Sequence, residues 1–375
     1  MQHTAENLLV DLELVRTIPK RSAKTMAKTT RGRFFEDFRV GEVMRHATPR
    51  TVTDGDVSLY NALYGPRFAV QSSDEFARSL GLPCAPVDDF LTFHMVFGKS
   101  VPDVSLNAVA NLGYANGRFA APVYPGDTLS ASSTVTGLKQ NSNGKTGVVY
   151  VNTVGTNQDG EVVLQYDRWV MLHKRDPDCA VAKSTIPELP NAVSANEFVL
   201  PGALKRIDAY DYALAGSPYR LADYVVGEKI DHGAGITIEE AEHQMATRLY
   251  QNTAKVHFDQ VSANAGRFKR RLIYGGHIIS LARAMSFNGL ENAFRVLAIN
   301  GGAHCNPTFA GDTVFAYSEV LEHLDIPGFN HLGALRLRLV ATKDRPAGDF
   351  PLRDDGGRYD PSVVLDLDYT VAMPR

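Results

Sequence analysis

Two stretches of the chain are apolar on nearly every side: Phe90-Leu91-Thr92-Phe93-His94-Met95-Val96-Phe97 and His277-Ile278-Ile279-Ser280-Leu281-Ala282-Arg283-Ala284-Met285. A helix without a polar face has to be buried, so each stretch predicts the central helix of a core. Other runs alternate instead. Gly147-Val148-Val149-Tyr150-Val151 and Val162-Val163-Leu164-Gln165-Tyr166 flank Asn157-Gln158-Asp159-Gly160, and an Asp-Gly turn between β-branched runs predicts a hairpin. A matching run, Val363-Val364-Leu365, closes the chain behind a longer loop at residues 344–360. The order is a short strand, a helical stretch, one long apolar helix and several strands, and it occurs twice. The pattern is α+β.

The repetition extends to particular residues. Asp37-Phe38-Arg39-Val40-Gly41-Glu42 returns 186 residues later as Asp223-Tyr224-Val225-Val226-Gly227-Glu228, and at the same shift His46 meets His232 and Thr51-Val52 meets Thr237-Ile238. Pro122-Val123-Tyr124-Pro125-Gly126-Asp127-Thr128-Leu129 returns as Pro307-Thr308-Phe309-Ala310-Gly311-Asp312-Thr313-Val314 at a shift of 185. A duplicated domain accounts for such spacing. The first unit spans residues 32–175, the second 214–375, and the Pro-containing segment 176–213 reads as a linker. Residues 1–31 carry an amphipathic piece and a basic run without an apolar signal core, and are expected to form a disordered arm; Met26 is a plausible alternative start.

At 375 residues, 44% hydrophobic and 22% charged, the chain can build two ordinary cores. A net charge of −3 argues against a nucleic-acid binder. The three cysteines Cys84, Cys179 and Cys305 are too few and too scattered for a disulfide framework or a zinc site and fit a reducing cytoplasm. No apolar run is long enough to span a bilayer.

Because both units share a pattern, the positions where they differ point to chemistry. Gln71 falls opposite His257, and Asp88-Asp89 falls opposite Tyr274-Gly275. The second unit thus has a histidine followed by Tyr274-Gly275-Gly276-His277 at the entrance to its apolar helix. Glycines there allow close approach, and free first-turn N–H groups with the helix dipole favour a developing negative charge such as an enolate oxygen. Asp127 and Asp312 occur in both units and read as turn residues. Asp88-Asp89 reads as a pair of acids favoured at a helix N-terminus. The run Arg267-Phe268-Lys269-Arg270-Arg271 reads either as a solvated face or as cations for an anionic ligand.

Asn252-Thr253-Ala254-Lys255-Val256-His257-Phe258-Asp259 resembles a variant of the Asp-x-Asn-Pro-x-His-x-Asp segment of MaoC-like, (R)-specific enoyl-CoA hydratases, and Ile273-Tyr274-Gly275-Gly276-His277 stands where that family has its oxyanion-binding glycine. More narrowly, Gly32-Arg33-Phe34-Phe35-Glu36-Asp37-Phe38, Leu106-Asn107-Ala108-Val109-Ala110-Asn111-Leu112-Gly113-Tyr114 and the run from Gln140 to Val151 resemble the mesaconyl-CoA hydratases, also called β-methylmalyl-CoA dehydratases. The resemblance covers residues 32–375. It implies a double hotdog, two tandem units each wrapping an antiparallel sheet round a helix, packed as a pseudo-dimer; a homodimer of chains is a further option.

The implied reaction is reversible hydration of 2-methylfumaryl-CoA (mesaconyl-CoA) to β-methylmalyl-CoA in acyl-CoA metabolism. The CoA thioester is the substrate, with no metal or other cofactor. On this reading His257 activates water or returns the proton, Asn252 holds the water and Gly275 donates its N–H to the enolate oxygen. Tyr274, Gly276, His277, Arg248 and Arg270 are candidates to bind substrate or CoA, with Arg248 or Lys255 facing the distal carboxylate. Asn252 stands where the broad family has an acid and cannot titrate, which leaves a second proton-handling group to be found; Asp259 and Glu242 are near in sequence. Plainer readings stand beside these: His277 as a helix-terminal residue, Tyr274 as tunnel lining. Rival functions are a straight-chain (R)-specific enoyl-CoA hydratase, a thioesterase of the same fold, and a non-catalytic acyl-CoA-binding subunit.

Overall fold

The computed structural model describes residues 28–179, 183–205 and 207–375. The expected N-terminal arm therefore lies outside the described residues except for its last four. Residues 32–375 form one compact unit.

In the first repeat, β1 (Val43–Thr51), a helix α1 (Asp54–Tyr64) and the apolar helix α2 (Asp89–Ser100) precede β2 (Ala108–Phe119), β3 (Thr128–Gln140), β4 (Thr146–Thr156) and β5 (Val162–His173). The second repeat has short β6 (Lys229–Asp231) and β7 (Ile236–Thr237), then α3 (Glu240–Leu249), α4 (Gly275–Met285), β8 (Arg295–His304), β9 (Thr313–Asp325), β10 (Leu332–Lys343) and β11 (Val363–Pro374). All strands join one antiparallel sheet in the order β1-β3-β4-β5-β2-β8-β11-β10-β9-β6, with β7 on β9. Burial alternates along β3 and β4 as a sheet covered on one face requires. Every residue of α2 is buried, and so are residues 276–285 of α4. Each helix lies in the concavity of its own half-sheet, as a residue pattern apolar all round demands.

The two halves meet where β2 pairs with β8, its own counterpart. Tyr114 faces Gly302 and Gly117 faces Ile299, and a shift of 185 converts one pair into the other, so a pseudo-twofold axis passes between these strands. Shared residues do the same structural work in both halves. His46 Nε2 bonds Ser133 Oγ at 2.7 Å, and His232 Nε2 bonds Ser318 Oγ at 2.8 Å. Asp127 Oδ2 accepts from the Tyr124 N–H and Asp312 Oδ2 from the Phe309 N–H, both closing the turn before a strand.

The segment read as a linker differs from a bare tether. Its Val193, Phe198, Leu200, Leu204 and Ile207 are buried in one cluster with Val70 and Phe76 of the first repeat and Phe294, Leu297 and Leu332 of the second. Its prolines suggest a spacer, but its apolar side chains seal the outer seam of the two units.

Candidate active site at the seam of the two repeats

The short turn Lys255–His257 is held to the strand-like Leu272 by a Leu272 N–H bond to the Val256 carbonyl at 3.0 Å. That pairing brings the His257 ring back onto Leu272, whose carbonyl accepts from Nδ1 at 3.0 Å. With Nδ1 carrying the proton, Nε2 presents its lone pair. Burial pushes the His257 pKa down to about 4, against the pull of the Leu272 carbonyl. The ring is a neutral base at ordinary pH.

Two residues further on the chain enters α4. Tyr274 caps it, and its N–H is taken by His243 Nε2 at 2.8 Å. Gly275 and Gly276, the first two helical residues, have no carbonyl within the helix for their N–H groups. A Cβ on Gly275 would collide with the His304 ring, and one on Gly276 with Tyr274 and His94. Both glycines are therefore needed for side chains to close over the helix N-terminus. The Tyr274 ring lies 5.5 Å from His257, and His257 lies 6.0 Å from His243. His277, in the same first turn, receives Tyr64 of the first repeat on Nδ1 at 2.8 Å, while its Nε2 is buried without a partner among the described residues.

His304, at the end of β8, is the residue that motif reading misses. Its ring packs on Gly275, its Nε2 bonds Tyr114 Oη at 3.1 Å, and its Nδ1 is buried with no partner among the described residues. Burial, with a smaller contribution from His257, holds its pKa down to about 4. The signal was present in the repeat: at the shift of 185, His304 falls opposite Phe119.

The remaining candidates separate. Asn252 is buried, and its Oδ1 accepts from the Ala254 N–H at 3.1 Å, leaving the amide NH2 as a donor. It borders a surface cleft of about 300 Å³ with Arg248, Gln244 and Phe258. Arg248 is exposed and donates to Gln244 Oε1, and Lys255 is exposed. Arg270 is exposed, donates to the Ala310 carbonyl at 2.7 Å and lies over the Phe309 ring. Asp259 caps the short helix Gln260–Asn264 through Ser262 N–H. In the first repeat the equivalent positions are fasteners. Gln71 donates to the Phe294 carbonyl, Asp88 accepts from the N–H groups of Phe90 and Leu91, and buried Asp89 pairs with buried Arg295 at 2.7 Å.

A continuous sheet round two buried helices, with a histidine beside a glycine helix entrance in only one repeat, defines a double-hotdog protein of the MaoC-like dehydratase class. A solved MaoC-domain dehydratase from Chloroflexus aurantiacus superposes with a TM-score of 0.90 at 61% identity, covering 93% of this chain and 99% of that one. Rv0216 of Mycobacterium tuberculosis, described as a double hotdog, shares the fold at a TM-score of 0.70 and 23% identity over 92% of this chain and 99% of its own. The family model described as mesaconyl-CoA hydratase matches residues 11–348. The beta-methylmalyl-CoA dehydratase of Chloroflexus aurantiacus is 62% identical over 93% of this chain and 99% of its own length, and the mesaconyl-CoA hydratase of Cereibacter sphaeroides 59% over 93% and 100%. The chain belongs to the mesaconyl-CoA hydratase family.

Proposed function

We propose that this protein is a hydro-lyase that adds water reversibly to mesaconyl-CoA, giving β-methylmalyl-CoA. The single observation that carries the site assignment is the fixed tautomer of His257, whose ring lies 5.5 Å from Tyr274, the residue that caps the glycine entrance of α4. In the hydration direction, His257 Nε2 takes a proton from water as the oxygen bonds to the β-carbon. The thioester carbonyl gains enolate character, and its oxygen is met by the Gly275 N–H at the positive end of α4. The α-carbon then takes that same proton back from the His257 imidazolium, by way of His304, and the carbonyl re-forms, so the net change is H and OH across the double bond.

Asn252 positions the water through its amide N–H but cannot exchange a proton. The second proton-handling group in this reading is His304: its neutral ring, packed on Gly275, can take the proton of the His257 imidazolium on Nδ1 and pass it to the α-carbon. Tyr274, Gly276 and His277 shape the acyl pocket, while Arg248 and Arg270 stand outside it where the CoA phosphates would run. No cofactor beyond the thioester is called for, since the chemistry is addition of water with proton transfer and no change of redox state. The reading places the protein in the cytoplasm, acting on an acyl-CoA and not on nucleic acid or membrane; among the described residues no helix is long and apolar enough to cross a bilayer. A homodimer of chains is compatible with it but not required, because both hotdog units lie in one chain.

The test is an assay at the enoyl-thioester absorbance with mesaconyl-CoA and crotonyl-CoA side by side. Faster turnover of mesaconyl-CoA is expected. A strong preference for crotonyl-CoA would move the protein to the straight-chain (R)-specific hydratases, and no turnover of either would leave a binding subunit.

A further inference from the structure

The proposed substrate carries a carboxylate on the β-carbon, three bonds from the thioester carbonyl, and a buried pocket that accepts it has to supply a counter-charge. Neither Arg248 nor Lys255 can, since both are exposed. A buried cation stands one ring away from the residues of the glycine entrance. Arg168, on β5, is 1% exposed, and no carboxylate among the described residues pairs with it. Its Nη2 donates to Ser100 Oγ at 2.9 Å, both Nη atoms reach Ser105 Oγ only at 3.4 Å, and Nε has no partner among the described residues. The guanidinium lies 4.3 Å over the Phe97 ring. The neighbouring Asp167 is turned the other way, accepting from Asn116 and Asn152.

Two lines of contact lead from Arg168 to the glycine entrance. Phe97 also packs against Tyr274, with ring centres 5.6 Å apart. Tyr114, electrostatically coupled to Arg168, bonds His304, whose ring covers Gly275. The other two buried arginines among the described residues have a different environment: Arg295 pairs with Asp89 at 2.7 Å, and Arg283, on which Asp88 acts, donates through Nη2 to the Ala293 carbonyl. The strand alignment places Tyr369 opposite Arg168, so the cation belongs to the first repeat alone. A buried guanidinium held only by hydroxyls and a ring face is an incomplete ion pair.

We propose that Arg168 receives the distal carboxylate of the substrate and thereby selects dicarboxylic enoyl-CoA thioesters over monocarboxylic ones. The first repeat then contributes specificity to the catalytic groups of the second. This rests on the hydratase reading above and deepens it.

The experiment compares the wild-type protein with Arg168→Met and Arg168→Lys on mesaconyl-CoA and crotonyl-CoA. In Arg168→Met, kcat/KM for mesaconyl-CoA should fall about 100-fold or more, as loss of one partner of a buried charge pair does. Its crotonyl-CoA value should stay within about 5-fold or rise, since no carboxylate has to be matched there. Arg168→Lys should fall between, because an ammonium keeps the charge without the fork. Parallel losses on both substrates, or no loss on either, would overturn the proposal. A second measurement needs no variant: succinyl-CoA should inhibit the wild type at about a tenth of the butyryl-CoA concentration or less, and equal inhibition also overturns it. If the wild type does not hydrate mesaconyl-CoA at all, it is the functional reading that fails.

Discussion

The phenol of Tyr250 donates to the phenol of Tyr64 at 2.7 Å, and the two residues are the same position, 186 apart, in the two repeats. They meet across the pseudo-twofold axis, as do His94 and Ser280, also 186 apart and bonded at 2.9 Å. Since Tyr64 passes its own proton to His277 Nδ1, the chain Tyr250–Tyr64–His277 runs in one direction. Removal of its members should therefore be graded. Tyr250→Phe leaves one acceptor lone pair unfilled and should cost about 1 kcal/mol. Tyr64→Phe leaves both Tyr250 O–H and His277 Nδ1 without partners and should cost about 2–3 kcal/mol. Chemical denaturation of the two single variants checks the order, and equal costs would show that Tyr64 does not serve both Tyr250 and His277.

Two glycines at the seam should fail in opposite ways. A Cβ on Gly98, within α2, would collide with the Tyr250 backbone carbonyl, which cannot move without shifting α3. A Cβ on Gly275 would collide with the His304 ring, which can swing away. Gly98→Ala should lose about 3 kcal/mol of stability while any folded fraction stays active. Gly275→Ala should keep its melting temperature and lose about 100-fold or more in kcat, since the enolate donor and its neighbour are both displaced. Melting curves beside single-turnover rates distinguish the two.

Much of this architecture was legible in the sequence because duplication leaves its mark in particular residues. The two all-apolar stretches became α2 and α4, and the shared His46/His232 and Asp127/Asp312 became structural pairs repeated in each half. The positions where the copies part, Gln71/His257 and Asp89/Gly275, pointed to the seam. Three things were not legible, each for a physical reason. His304 replaces Phe119 at a strand end, a ring-for-ring change that reads as ordinary strand variation until Gly275 is seen beneath it. Arg168 lies in a strand where a charge is expected to face solvent, and only the course of β5 shows that it faces Phe97. The prolines of residues 176–213 suggested a spacer, but Val193, Phe198 and Leu204 bury themselves between the repeats.

The buried histidines make stability and activity respond differently to acid. His94, His232, His243, His257, His277 and His304 all have pKa values lowered by burial, His232, His257 and His304 to about 4. The unfolded chain takes protons near the ordinary imidazole value of 6.5 while the folded chain refuses them. Stability is therefore full above pH 6.5 and lost as pH falls through the window from 6.5 to 4, by up to about 1.4 kcal/mol per pH unit for each such ring. Catalysis needs His257 neutral, which it remains through most of that window. The melting temperature should fall steeply between pH 6.5 and 5 while kcat/KM, measured quickly on folded protein, stays flat. An acid limb in kcat/KM with a midpoint near 6.5 would contradict the burial of His257.

His304 supplies the most direct test of how the second repeat became the reactive one. The first repeat has Phe119 at this position, so His304→Phe restores the side chain that the other half already uses at the same strand end. The ring volume over Gly275 is nearly kept, and what disappears is the buried Nδ1 and the bond from Nε2 to Tyr114. If His304 were only packing, kcat and stability should both hold within a few-fold. If it handles the proton that Asn252 cannot, kcat for mesaconyl-CoA should fall by about 100-fold to 10,000-fold with KM little changed, because the enolate donor at Gly275 and the base at His257 remain. His304→Gln, which can donate but not exchange a proton, should be nearly as slow as His304→Phe, and that separates proton transfer from hydrogen bonding. Solvent-isotope exchange at the α-carbon of the product, followed by mass, should slow in step with kcat in both variants, tying the loss to the protonation step.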